Sequence, residues 1–147
     1  MKSLTVTLRN SLVATTLAFV TFAAHATTIK LKADLKASSE VPAKDSTGTG
    51  TLTGTLDTDT NHFTYHIEFS GLTGPVVAAH FHGPAVEGSN AKPQLPIKIS
   101  PIASPIDGDT NLTPEQTKDL AAGKWYFNLH TSANPSGEIR GQVVASE

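Results

Sequence analysis

Thr51-Leu52-Thr53-Gly54-Thr55-Leu56, then Asp57-Thr58-Asp59-Thr60-Asn61, then His62-Phe63-Thr64-Tyr65-His66-Ile67-Glu68-Phe69 is the stretch whose reading decides the fold. Side chains of a strand alternate between two faces, so Phe63, Tyr65, Ile67 and Phe69 fall on one side and His62, Thr64, His66 and Glu68 on the other. The preceding segment alternates threonine with leucine and glycine, and the Asp/Thr/Asn run between them is turn chemistry. The two segments are predicted to form a β-hairpin with one buried face.

The same period extends outward in both directions. Ile29, Leu31, Ala33 and Leu35 alternate with charged residues and predict a first half-buried strand, followed by a polar loop from Ser38 to Gly50. Val76 to His82, Lys124 to His130 and Glu138 to Val144 predict three further strands. Between them Pro84, Pro93, Pro96, Pro101 and Pro105 confine the chain to loop and at most a short edge strand, Leu95 to Ser100. One helix signal interrupts the pattern. Thr113-Pro114-Glu115-Gln116 combines an N-cap, a proline at the first helical position and a capping-box glutamine, and Gly123 supplies the stop, which predicts a helix over Pro114 to Ala122. Short strands, turn residues and a single small helix imply an all-β fold, an antiparallel Greek-key β-sandwich of immunoglobulin or superoxide-dismutase type.

The start of the chain is read separately. Lys2 and Arg9, the apolar run Ser11 to Ala24 and the small-x-small sequence Ala24-His25-Ala26 form a secretory signal peptide over residues 1–26. Its apolar run is short for a membrane span. Residues 27–147 then form one domain, expected in the periplasm or secreted, with no membrane association after cleavage. Of the 11 basic residues, Lys2 and Arg9 leave with the signal peptide; the remaining 9 face 13 acidic ones, a formal charge of −4. No basic stripe is visible, so nucleic acid is excluded as a partner; the sequence names no protein partner. The chain has no cysteine, which removes disulfides and thiol chemistry and restricts any metal site to nitrogen and oxygen ligands.

The chemistry-bearing residues are histidines. His80 and His82 flank Phe81 and point to one side of their strand, away from the aromatic core. His130 falls on the outward side of a later strand by the same reasoning, as do His66, Asn128 and Arg140. Three imidazoles with an open position make a site for a divalent transition metal. Intrinsic affinity favours copper over zinc, with availability as the other determinant. The competing reading is that these histidines hydrogen-bond loop carbonyls and fix the Gly83-Pro84 turn. His66 is a candidate fourth ligand or a solvated strand residue. Asn128 and Glu138 are candidates to orient the imidazoles. Arg140 is a candidate to steer an anion to the metal, or else a salt-bridge partner of Glu138 or a cap on the Asn134-Pro135 turn. No nucleophile motif, phosphate loop or hydrolase-like carboxylate pair is present, which favours a binding module over an enzyme.

Several stretches resemble the CHRD domain, the module named for its occurrence in chordin and found in many exported bacterial proteins. They are Phe69-Ser70-Gly71-Leu72, Ala79-His80-Phe81-His82-Gly83-Pro84-Ala85, Leu112-Thr113-Pro114-Glu115-Gln116, Tyr126-Phe127-Asn128-Leu129-His130-Thr131 and Asn134 to Gln142. The resemblance implies an extracytoplasmic β-sandwich and no particular reaction. His80, His82, His130 and Arg140 are also similar to the arrangement in copper-zinc superoxide dismutases. The dense zinc-site run and the cysteine pair of that family are missing here, so the similarity implies at most a copper-only, dismutase-like oxidoreductase. A structural or adhesive domain without metal is the third reading.

Overall fold

The computed structural model describes residues 27–146; the expected signal peptide lies outside them. In chain order the elements are β1 (Thr28–Lys36), a 3-10 turn (Ala37–Ser39), β2 (Thr49–Asp57), β3 (His62–Ser70), β4 (Val76–His82), β5 (Pro93–Pro96), β6 (Ile106–Asn111), α1 (Pro114–Ala121), β7 (Trp125–Thr131) and β8 (Ile139–Ala145). No described helix is long and apolar enough to cross a membrane.

The all-β class with one short helix is as expected, but the expected pair of sheets is one continuous antiparallel sheet of eight strands. Its order is β5-β4-β7-β8-β1-β2-β3-β6. The hairpin read from the sequence is its clearest part, with Leu52 opposite Ile67 and Leu56 opposite Phe63. β8 and β1 join the two halves through pairs such as Lys32 with Val144 and Lys36 with Arg140. The sheet curls at this seam until its halves face each other. Phe81 of β4 and Phe63 of β3 are far apart in strand order, yet their ring centroids lie 5.3 Å apart in an edge-to-face contact. Phe81 also meets Tyr65 at 5.2 Å and Phe127 at 4.8 Å. Phe63, Phe81, Trp125 and Phe127, with Leu31, Leu35, Leu52 and Leu56 from the other strands, are completely or almost completely buried. Both halves thus turn their apolar faces into one core.

Three local outcomes refine the sequence reading. The edge strand is Pro93–Pro96, earlier and shorter than Leu95 to Ser100, because prolines bound it. The helix forms with its full capping box: Thr113 Oγ1 accepts from the Gln116 amide at 3.2 Å, and Gln116 Oε1 accepts from the Thr113 amide at 2.9 Å. Strand β6 was not expected. Ile106-Asp107-Gly108-Asp109-Thr110-Asn111 is poor in strand formers, but every residue pairs with β3, Gly108 lying opposite Tyr65. Any Cβ at position 108 would collide with the Tyr65 ring and hydroxyl, so glycine is required by this close approach.

Phe81 bridges the two halves, so its truncation should be felt by the whole sheet. Phe81→Ala is expected to destabilise the domain by about 3–5 kcal/mol. The loss would be measured as a lower urea midpoint with an unchanged slope; a change below about 1 kcal/mol would contradict the bridging role.

Candidate metal centre

β4 and β7 are antiparallel neighbours, with His80 opposite Asn128, His82 opposite Tyr126 and Ala78 opposite His130. Since Ala79, Phe81, Phe127 and Leu129 of the same strands are in the core, alternation sends His80, His82, Tyr126, Asn128 and His130 to the opposite face. The ring centroids of His80 and His130 are 5.0 Å apart, those of His80 and His82 5.5 Å, and those of His82 and His130 6.3 Å. One ring nitrogen from each of the three lies within 4.8 Å of the other two. The sequence-predicted triad is therefore assembled.

Hydrogen bonds fix which nitrogens face inward. His82 Nδ1 lies 2.9 Å from the Ala91 carbonyl, and His130 Nδ1 lies 3.0 Å from the Pro135 carbonyl. A carbonyl only accepts, so both Nδ1 atoms carry and donate a proton when the rings are neutral, leaving the lone pairs on Nε2. His130 Nε2 then accepts from His80 Nδ1, at 3.2 Å. His82 Nε2 is buried and has no hydrogen-bond partner. The loop-carbonyl reading of these histidines and the ligand reading are thus compatible, since the carbonyl holds one nitrogen and frees the other. Burial, and secondarily the neighbouring rings, hold the His80 imidazole below its ordinary pKa. Burial does the same for His82, and His130 and Arg140 add to it against hydrogen bonds that oppose it. Both changes keep the lone pairs available.

The face expected to be outward is not open. A strap formed by residues 83–92 lies across it. The Gln142 amide donates to the carbonyls of Ala85 and Gly123 at 2.9 and 2.8 Å, and the Ala91 amide donates to the Tyr126 hydroxyl at 3.2 Å. The Tyr126 ring stacks on His82, with centroids 4.7 Å apart and planes 4° from parallel. The Arg140 guanidinium carbon sits 3.4 Å from the centroid of the same ring. Two groups so close cannot share one face of it, so Tyr126 lies between His82 and Arg140.

Arg140 does not face the open position. It is 2% exposed, and it donates to Asn90 Oδ1 at 2.9 Å and to the Ser89 carbonyl at 2.5 Å. Rather than steering an anion, it clamps the strap that carries the Ala91 carbonyl. His66 is not part of the cluster: it lies on β3 and its Nδ1 is 2.6 Å from Asp107 on β6. That hydrogen bond, against slight desolvation, holds its pKa above the ordinary value. Asn128 is buried, with its Nδ2 donating to Glu40 at 3.4 Å. Glu40 and the strap were missed from the sequence, and Tyr126, outward by alternation, was not read as part of the site. Alternation from Asn128 puts Tyr126 on the site face, whereas no local signal marked Glu40.

Glu138 lies on another task. It is completely buried, and its carboxylate accepts from Ser46 Oγ at 2.6 Å, the Thr73 amide at 2.7 Å, Thr73 Oγ1 at 2.8 Å and Thr131 Oγ1 at 2.5 Å. Four donors fill the acceptor sites of an ionised carboxylate and anchor the β7–β8 turn that holds Pro135. Burial pushes the Glu138 pKa up, but the bonds from Ser46, Thr131 and Thr73 outweigh it and bring the value down to about 2. A depressed carboxyl stabilises the fold above its unfolded pKa of about 4.5 and loses that contribution as pH falls through about 2. Glu138→Gln is expected to cost about 3 kcal/mol at neutral pH. In a pH series of denaturation midpoints, the gap between wild type and variant should narrow from about pH 5 to pH 2; a constant gap would rule out the ionised carboxylate as its source.

No curated protein and no solved structure matches the chain. The CHRD domain family matches residues 31–143, a span that includes β2 to β7, the strap and every residue of the triad. The chain therefore belongs to the CHRD domain family.

Proposed function

We propose that the protein is an exported, non-catalytic binding module whose His80, His82 and His130 hold a divalent transition metal, copper(II) or zinc(II). The observation that carries this reading is the pair of carbonyl-held tautomers. Ala91 and Pro135 each take an Nδ1 proton, so two Nε2 lone pairs converge beside His80, and that of His82 is buried without a partner. A buried acceptor without a donor costs about 1–3 kcal/mol, which a bound cation offsets. Ligand nitrogens about 2.0–2.1 Å from a tetrahedral metal lie about 3.3 Å from each other. His80 Nδ1 and His130 Nε2 are 3.2 Å apart because they share one proton. An ion takes that proton's place once His80 carries its proton on Nε2, and the full set, within 4.8 Å, closes by small ring movements.

The ligands offered by the described chain are nitrogen and oxygen alone, which suits the divalent ions better than copper(I). A dismutase-like reaction is the weaker reading, because the arginine expected to guide superoxide is buried and committed to the strap. The CHRD family membership supports an extracytoplasmic module, and export through residues 1–26 completes the proposal.

Purified protein is expected to bind one copper(II) or zinc(II) ion in a calorimetric titration. The triple variant His80→Ala/His82→Ala/His130→Ala should lose binding while keeping its far-ultraviolet spectrum. Because burial keeps His80 and His82 neutral, affinity should be nearly flat above about pH 6.5 and fall as protons compete below it. Equal metal uptake by wild type and the triple variant would end the proposal.

A further inference from the structure

Asn128 combines three properties that an ordinary strand-surface amide does not. It is 4% exposed, and its Oδ1 atom is buried with no hydrogen-bond partner. The other end of the amide is committed, because Nδ2 donates to Glu40 Oε1 and packs against Gly137. Gly137 has φ +120°, and a Cβ there would strike both Glu40 and the Asn128 amide, so glycine is what lets the turn close over this pair. With Nδ2 held, Oδ1 points the other way.

The imidazoles share the Asn128 face of the β4–β7 pair. Asn128 is directly opposite His80 and two residues before His130, on the same face of the sheet. Its side chain also lies close to the His82 ring. His82 Nε2 and Asn128 Oδ1 are thus two buried lone-pair atoms in one cluster, both without a donor. Two acceptors gathered with nothing between them repel; a cation between them turns the repulsion into attraction.

Resting on the metal-binding reading above, we propose that the Asn128 side-chain carbonyl oxygen is the fourth ligand, giving a three-nitrogen, one-oxygen set built wholly from β4 and β7. All four ligands are neutral, so the bound ion keeps its full double charge and remains a strong Lewis acid toward an anion or water arriving from the half-exposed side of His80 and His130. An amide oxygen is a hard donor, which biases the site toward zinc(II) and copper(II) and away from copper(I).

Cobalt(II) is the probe, since its visible absorption reports ligand number and type. Full-chain wild type, Asn128→Ala, Glu40→Gln and Glu40→Gln/Asn128→Asp are titrated with cobalt(II), and copper(II) resonance spectra are recorded for each. The Glu40→Gln background keeps a hydrogen-bond donor beside the new aspartate and avoids two facing carboxylates. Asn128→Ala is expected to weaken binding about tenfold or more and to shift the cobalt bands. Asn128→Asp in the Glu40→Gln background is expected to tighten binding about tenfold over Glu40→Gln alone, because a charged oxygen replaces a neutral one at the metal. If all Asn128 variants keep the wild-type spectrum and affinity while His82→Ala loses binding, Asn128 is not a ligand and the three-histidine site stands. If wild type binds none of cobalt(II), copper(II) or zinc(II), the metal reading fails and this inference with it.

Discussion

The antiparallel pairing of β4 with β7 is the constraint on which both core and site depend. One register decides both faces. It sets Phe81 opposite Phe127, where the rings pack 4.8 Å apart inside the curl, and it sets His80 opposite Asn128 with His82 and His130 alongside. A slip by one residue would send the aromatics outward and the imidazoles into the core. The apolar energy of Phe81, Phe127 and Trp125 therefore fixes the position of the histidines, although they contribute little to that energy. A site on two interior strands inherits the precision of the packed sheet.

The two halves of the sheet treat their outer faces differently. On β2 and β3 the outward threonines, His62 and His66 remain open to solvent, and His66 and His62 simply pair with Asp107 and Asp109. On β7 and β8 the outer face carries Tyr126 and Arg140, nearly buried against the strap, and Asn128, nearly buried against Glu40 and Gly137. Burying a guanidinium is costly unless its donors are met. Here they are met by Ser89 and Asn90, with Tyr126 beneath the guanidinium plane and Glu40 near enough for the charges to attract. The strap is thereby tied to the sheet at the point where its Ala91 carbonyl sets the tautomer of His82.

Much of this was legible in the sequence, because period-two alternation is strong wherever one face must be buried. β1, the β2–β3 hairpin, β4, β7 and the capping box of α1 could be read residue by residue, and the outward direction of His80, His82 and His130 followed from Phe81 and Leu129. Three things could not be read. Ile106–Asn111 became a strand through its partner and Gly108's fit against Tyr65, a tertiary effect that overrides weak local preference. The joining of β8 to β1, which makes one curled sheet of two expected layers, depends on long-range pairing with no local mark. The third was the burial of the outer face. Alternation tells which side a residue takes and is silent on whether a connection returns to cover it. Arg140, read as an outward cation for an anion, for Glu138 or for the Asn134-Pro135 turn, instead holds the strap through Ser89 and Asn90.

The division of labour in the site follows from what each kind of segment can offer. Strands deliver side chains at fixed spacing, and all the nitrogen donors come from them. Loops deliver backbone carbonyls, and here two of them, Ala91 and Pro135, are spent on tautomers. Each carbonyl is in turn fixed by something buried: Ala91 by Tyr126 and the Arg140 clamp, Pro135 by the turn that Glu138 ties to Ser46, Thr73 and Thr131. Glu138 and Arg140 thus touch no imidazole, yet both determine where lone pairs point. The consequence is that His82 and His130 are held in fixed orientations, so an ion bound as proposed would cost little ordering entropy. The convergence of the remaining nitrogens is the feature on which the metal-binding proposal rests.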